Sequence, residues 1–432
     1  LGHSYVTRQR RWTPIVSVQA TIEVNGDISL SNLSRQLDQT NLNKEILQTT
    51  LEKHQEELVT QLCGEKYARN SHRKYRRAGT AKRTLVTRHG AIRIKVVKVR
   101  SLENGSIMRP LLLHLGVEPR RRIVDDLVLE SAEAATLLTY RDTKAIIEGL
   151  TKAKTSKHRI HRYAQRVGAY MDRERRKAAA EKVDLMYADG TKAHGNGGKK
   201  NDINVVLGKD LETGEKHLLA LDVNKSWVET AGQVTATADV LISDADRAMR
   251  NALLEKALSH QLCENHAVRE VNNHLWRAGL PKRERAVIRG RLRTVLRTLR
   301  NSARRHLVDG DFERLRWRME WTLGELRKLA GELVEEGLTG AARFIRNSAN
   351  YLVTYARLAM KGVSVPYTNN LVERLMGEVA KRVKNRWMHW STEGLENLLN
   401  ILLVRYCDRR LYASLKQNFY KDAEAVINVK VT

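Results

Sequence analysis

The side chains best suited to chemistry are acidic. Asp189 lies in Tyr187-Ala188-Asp189-Gly190-Thr191, where an apolar run ends and Gly190 lets the backbone turn. Asp244 lies in Leu241-Ile242-Ser243-Asp244-Ala245-Asp246, again closing an apolar run and preceding a helical pattern. If the two runs are neighbouring strands, the carboxylates sit side by side and repel by on the order of several kcal/mol at low effective dielectric. Divalent cations resolve that conflict, and an all-oxygen site suits Mg2+, with Mn2+ as its substitute. Asp246 reads as a cap of the following helix.

The third acid belongs to the helical stretch Thr368 to Glu378, where Glu373 and Glu378 compete. Glu378 has Arg374 and Arg382 four residues to either side, so salt bridges on the helix surface account for it. Glu373 has Asn369 and Gly377 at those positions and no intrahelical cation. Its face continues through Gly377, Lys381 and Lys384, so Glu373 is the expected active-site acid and the lysines are expected to hold phosphates. Arg386 and Trp387 extend the basic cluster, with Trp387 and Trp390 expected to stack on a base or to pack. Cys263 and His266 form a Cys-x-x-His pair soon after Asp244. A zinc site needs four ligands, or three plus water, and no second Cys/His pair has ligand spacing, so a structural or orienting role is expected and zinc is not.

These acids need a sheet to bring them together. Residues 183–190, 203–208, 216–225 and 239–246 are β-rich runs, with helical patterns over 228–238 and 246–259 and a short apolar piece ending at Cys263. This order predicts a mixed α/β sheet. Residues 267–360 are helical throughout, with twelve Arg between Arg283 and Arg318 and an apolar stripe through Ile288, Leu292, Val295, Leu296 and Leu299. That excess of Arg predicts DNA contact by a bundle with a basic face. Residues 369–386 and 393–418 are expected to form the last two helices.

Upstream, residues 42–62 predict a helix, and a basic tract from Asn70 to Arg83 includes Arg73, Arg76 and Arg77. Residues 84–100 predict a hairpin turning at His89–Gly90, with Ile92, Ile94 and Val96 on one face and Arg93 and Lys95 on the other. Residues 131–168 predict a helix-turn-helix unit whose second helix, following Ser156, presents Arg159, Arg162 and Arg166 to DNA.

Composition agrees with an anionic partner. The 432 residues carry 77 Lys and Arg against 49 Asp and Glu, a formal net charge of +28. Three distant cysteines argue against a disulfide framework and for a reducing compartment. No apolar run reaches the roughly 18 residues of a membrane span. The first residues carry no secretory apolar region, and Leu1 in place of Met suggests a trimmed or unusual start.

Taken together, Asp189 in YADGT, Asp244 in ISDAD, Cys263-x-x-His266 and Glu373 in TNNLVERLMGEVAKRVKNRWMHWS resemble the DDE transposases of prokaryotic insertion sequences, of the Mutator-like superfamily. The resemblance covers roughly residues 183–405, and residues 63–90 share it more loosely. It implies an α/β core of RNase H-like (retroviral integrase) type interrupted by an all-α insertion, behind a mixed α/β-hairpin N-terminal DNA-binding region. The expected divisions are 1–130 for the basic N-terminal region, 131–170 for the helix-turn-helix unit and 183–266 for the first part of the core. The insertion follows over 267–366, then 367–432 for the helix with the third acid and the tail. Asp189, Asp244 and Glu373 would be both the catalytic residues and the Mg2+ ligands, with Asp246 leaving the second ligand open. The substrate would be double-stranded DNA, both element ends and target, cut and then joined by a homodimer or higher oligomer. The setting would be cytoplasmic and nucleoid-associated, with no membrane. Two other readings remain: an RNase H-like nuclease without strand transfer, and an inactive helix-turn-helix DNA-binding protein.

Overall fold

The computed structural model describes residues 42–66, 73–151, 154–384 and 388–420. The chain divides into two compact units, residues 1–163 and 164–432.

In the first unit, helix α1 (Leu42–Cys63) lies on an antiparallel sheet of β1 (Tyr75–Thr87), β2 (Gly90–Ser101) and β3 (Ile107–Met108). The alternation in β2 drives this packing. Ile92, Ile94 and Val96 join Leu85, Leu111 and Leu112 in one core, while Arg93 and Lys95 stay exposed. The Gln55 side chain ties α1 to β2, donating to the Lys95 carbonyl and accepting from the Val97 N–H. The hairpin turns at Arg88–His89, one residue before the predicted His89–Gly90, and Gly90, paired with Thr87, has a positive φ of 103° that suits glycine. Four helices follow: α2 (Pro110–His114), α3 (Asp125–Ala135), α4 (Tyr140–Thr151) and α5 (Lys157–Lys177), the last crossing the boundary between units.

The second unit is built on a five-stranded mixed sheet in the order β6-β5-β4-β7-β8. Strands β4 (Lys182–His194), β5 (Lys200–Lys209) and β6 (Lys216–Val223) form an antiparallel meander. After α6 (Trp227–Gln233), β7 (Thr237–Ser243) pairs parallel with β4; after α7 (Arg247–Leu253), β8 (Ala257–Leu262) pairs parallel with β7. Central strands buried on both faces read as continuous apolar runs, and Leu185–Ala188, Val205–Leu207 and Val240–Ile242 are such runs. Helices α6 and α7 pack on the sheet through Ala231, Val234, Met249 and Leu253. The arrangement is consistent with an RNase H-like core.

Helix α8 (Glu264–Arg277) leaves the sheet and joins α9 (Lys282–Asp309), α10 (Phe312–Glu335) and α11 (Thr339–Leu352) around one apolar core. The chain returns through α12 (Thr354–Ala359) to α13 (Asn370–Val383), which packs on β4, and α14 (Thr392–Cys407), which packs on β6; α15 (Arg409–Tyr420) ends the described chain.

The structure corrects several sequence expectations. Strand β4 does not turn at Gly190; it runs on to His194, paired with β5 through Gly190↔Asn204 and His194↔Lys200. What stops beside Asp189 is only the parallel pairing with β7, whose last register pair is Tyr187↔Ile242. The helix expected over 246–259 ends at Leu253, because residues 257–262 are the edge strand β8. The helix expected over 228–238 ends at Gln233, and β7 takes the remainder. The last helix breaks at Asp408, which is extended (φ −126°, ψ 86°) and whose side chain accepts from the Leu411 N–H at 2.8 Å.

Candidate active site

The three acids reach one place from three elements. Asp189 lies on β4 directly after the buried run Leu185–Ala188, Asp244 follows β7, and Glu373 stands in the first turn of α13. All three line one open cavity of about 620 Å³, together with His266, Arg269 and Glu270 from α8. The strand neighbours explain the first two: β4 and β7 run parallel, so their residues at equivalent depth emerge at the same end of the sheet.

A polar network brings in the third acid. The Asn369 side chain donates from Nδ2 to the Ala188 carbonyl at 2.8 Å, next to Asp189 in sequence. The Asn369 N–H donates to Cys263 Sγ at 3.3 Å, and the Glu264 N–H donates to the Tyr367 carbonyl at 3.1 Å. The start of α13 is thereby fastened to β4 and to the β8–α8 junction. Sequence reasoning noted Asn369 only as an uncharged neighbour of Glu373 at the start of its helix. Its signal was its place four residues before Glu373, but its partner on β4 is 181 positions away.

Burial sets the electrostatics. Asp189 is 8% exposed. Burial, with the neighbouring Asp244 and then Glu373, pushes its carboxyl up to about 7 against the Gly190 N–H and the Arg269 charge. Asp244 is also held up by burial, opposed by the Asp246 N–H that its Oδ1 accepts at 2.8 Å and by His266. Burial lowers His266, with Asp244 and Glu373 acting the other way. Its Nδ1 lies 3.4 Å from Glu373 Oε1 without the alignment of a hydrogen bond. Cys263, His266 and Glu373 bring one donor atom each within 4.8 Å of one another, and among the described residues no fourth His, Cys, Asp or Glu joins them.

Asp246 is exposed and caps α7, accepting from the Ala248 and Met249 N–H groups at 2.7 and 3.3 Å. Glu378 pairs with Lys381 at 2.7 Å on the surface. Lys384 is exposed at the end of α13, and Arg386 and Trp387 lie outside the described residues. Trp390 is buried beneath the Arg382 guanidinium, 4.9 Å from its ring centre and inside the roughly 6 Å reach of a cation–π contact. In the first unit Arg159 and Arg162 are exposed on α5, and Arg76 is exposed on β1. Arg77 is paired with Glu56 at 3.4 Å, and the Arg73 guanidinium is partly buried. Arg166 is exposed but stacks over Phe419 at 5.3 Å. Arg269, which sequence reasoning did not single out, lines the acid cavity; its charge opposes the upward shifts of Asp189 and Asp244 and adds to the lowering of His266.

A mixed sheet with acids gathered at the end of its parallel strands, joined to a basic helical bundle, defines the α/β class expected of an RNase H-like enzyme. The family model for the transposases of the Mutator family matches residues 21–410, and the chain belongs to that family. Its members are DDE-type transposases, so the chain's activity is DNA transposition, DNA is its partner, and a divalent metal is implied. A search of curated proteins finds no match. Among the described residues no helix is long and apolar enough to cross a membrane.

Proposed function

We infer that the chain binds the terminal inverted repeats of an insertion sequence, cuts at them and joins the freed ends to target DNA. Asp189, Asp244 and Glu373 are its reacting-site acids. The observation that carries this reading is the opening of all three carboxylates into one cavity. The donor set is all oxygen, partly desolvated and short of counter-charge, which fits Mg2+ and, in its place, Mn2+. When bound, a magnesium pair supplies Lewis acidity at the scissile phosphate and a nucleophile activated at neutral pH.

The chain's own residues perform the rest. Asp189 and Asp244 present carboxylates from neighbouring strands, and Glu373 faces them from α13. His266, packed against Glu373, restricts that carboxylate's orientation. Arg269 supplies positive charge where a phosphate arrives. Asn369 holds α13 against β4 through the Ala188 carbonyl and against the β8–α8 junction through Cys263. Lys381 in the last turn of α13 and Lys384 just after it take phosphates of the flanking DNA, with Arg386 and Trp387 following them in sequence. The exposed Arg76, Arg159 and Arg162 of the N-terminal unit, with Arg73, Arg77 and Arg166 nearby in sequence, meet the duplex of the repeats. Synapsis of two ends requires at least a dimer.

The test is a cleavage and joining assay with magnesium on DNA carrying the element's ends. Asp189→Asn is expected to bind that DNA as the parent does and to neither cut nor join it. Cutting at the parent's rate by Asp189→Asn would overturn the assignment, and cutting without joining by the parent would reduce the activity to that of a nuclease.

A further inference from the structure

A second cavity adjoins the acid site. It measures about 700 Å³ and lies between α8 and α9, with Arg269 on one wall and Arg289, Arg293 and Arg297 on the other. Glu373 and Arg269 line both cavities, so the two spaces meet at the third acid.

The arginines of α9 divide by what they touch. Arg291 pairs with Glu332 at 2.6 Å, Arg285 bonds Asn272 and the Leu280 carbonyl, and Arg300 lies 3.4 Å from the buried Glu264 and 4.8 Å over the Tyr367 ring. Arg304 donates to the Tyr367 hydroxyl at 2.9 Å. These side chains hold the fold together. Arg289 bonds only a carbonyl of its own helix, and among the described residues neither Arg293 nor Arg297, nor Arg269 opposite, has a carboxylate within ion-pair reach. Like charges four residues apart destabilise a helix. Three in a row with no ion pair of their own, facing a fourth across a cavity whose carboxylates are Glu373 and the Arg300-bound Glu264, fit a site whose counter-ions arrive with a ligand.

The ligand's form follows from the spacing. Four helical residues rise about 6 Å, which is comparable to the separation of neighbouring phosphates along one nucleic-acid strand. A space of this volume holds a molecule of drug size, hence a few nucleotides of one strand and not a duplex. Asn265, Asn272 and Thr294 add neutral donors to the lining.

We propose that Arg269, Arg289, Arg293 and Arg297 form the seat for the phosphates of a single DNA strand, the one that carries the scissile bond, immediately to one side of the cut. This rests on the transposase reading above and specifies where its substrate runs. The helical insertion then acts as the wall of the strand channel, and Glu373 stands at the point where that channel enters the acid site.

The test uses the full chain in EDTA, where no cutting occurs, and a fluorescein-labelled DNA duplex with a single-stranded 3′ tail, compared with the same duplex blunt. For the pair Arg293→Gln and Arg297→Gln, the slope of log affinity against log salt on tailed DNA should fall by about 1.4, since each single-strand phosphate contact contributes about 0.7. Blunt-duplex binding should stay at the parent's value. The pair Arg293→Lys and Arg297→Lys, which keeps the charge, should restore most of the slope and shows that the Gln pair is not merely misfolded. The exposed pair Arg327→Gln and Arg343→Gln removes equal charge elsewhere on the bundle and should leave both probes unchanged. An unaltered slope on tailed DNA, an equal loss on blunt DNA, or an equal effect from the Arg327 and Arg343 pair would each overturn the proposal. Its failure is separable from that of the transposase reading, which stands or falls on cutting by Asp189→Asn.

Discussion

The acid cluster should make the metal-free protein less stable, and Asp189→Asn should remove that weakness. Burial first, then Asp244 and Glu373, raise the Asp189 carboxyl from 3.8 to about 7. At about 1.36 kcal/mol for each pH unit, the folded state disfavours the charged form by about 4 kcal/mol. The sign follows from linkage: a carboxyl raised in the folded state leaves stability intact below pH 3.8 and withdraws it as pH climbs through 7. Asparagine cannot ionise, and its side-chain oxygen can still accept the Gly190 N–H that Asp189 accepts at 2.8 Å. In EDTA, the variant should therefore exceed the parent by only about 1–2 kcal/mol near pH 5 and by the full amount of about 4 kcal/mol at pH 8. At about 2–4 °C for each kcal/mol, the gap in unfolding midpoint should be about 10 °C. Magnesium should narrow the gap by raising the parent, because a ligand that binds only the native state stabilises it in proportion to its saturation. Thermal unfolding of both proteins at the two pH values, with and without magnesium, measures all of this. A variant no more stable than its parent at pH 8, or a gap unchanged between pH 5 and pH 8, would refute the account of Asp189 as a strained carboxylate.

Further outcomes can be measured on other residues. Glu373→Gln should abolish cutting, whereas Glu378→Gln, which only breaks an exposed pair with Lys381, should leave it within about twofold; equal losses in the cleavage assay would mean the third acid has been misassigned. Gly168→Ala should destabilise the second unit by about 3 kcal/mol or more, read by chemical denaturation, because the added carbon would stand 2.1 Å from the Asn397 carbonyl oxygen. The His217–Asp408 pair joins β6 to the start of α15 at 3.1 Å, the hydrogen bond to Asp408 raising His217 above 6.5. Burial opposes the charge on Asp408, but the hydrogen bond from His217 and the Leu411 N–H outweigh it and hold that carboxyl below 3.8. His217→Gln should therefore cost stability mainly between about pH 4 and 6.5, with the deficit fading as pH rises through the histidine's folded value; a deficit that grows toward pH 8 in denaturant titrations would contradict the pairing.

The sequence revealed most where one physical rule dominated. Alternation located the hairpin through Ile92, Ile94 and Val96, and long apolar runs located β4, β5 and β7. Asp246 was legible as a cap because capping is local, and the structure gives it two N–H partners. Strand β8 was legible only at its end, as the short piece before Cys263; its start, Ala257 to Ser259, reads as helix, and Ser259, His260 and Gln261 look like surface residues. They are tolerated in a buried strand because His260 Nε2 meets Ser243 Oγ at 2.9 Å and Gln261 Oε1 accepts the Tyr355 N–H at 2.8 Å, partners no local pattern announces. The break at Asp408 was hidden because helical periodicity continues through it; there its carboxylate takes the Leu411 N–H and also meets His217 on β6. For the candidate site, acid types and their positions at run ends were visible, while Arg269 and Asn369 acquired meaning only from what stands across from them.

Hydrophobic burial and catalytic geometry are here one problem. The forces that assemble the sheet act on Leu185 to Ala188, on Val240 to Ile242, and on Val372, Leu375, Met376 and Val379 of α13, none of which does chemistry. Burying them carries Asp189, Asp244 and Glu373 to a common cavity and partly dehydrates the first two, which isolated carboxylates would resist. The apolar runs therefore supply the free energy that holds three acids in mutual repulsion, and the repulsion is what gives the site its demand for cations. Ala188 marks the junction of the two roles: its side chain is fully buried in the sheet core, and its carbonyl receives the Asn369 amide that fixes α13. Removing that amide leaves the apolar packing in place but frees the third acid from the first, so the site can loosen while the fold persists.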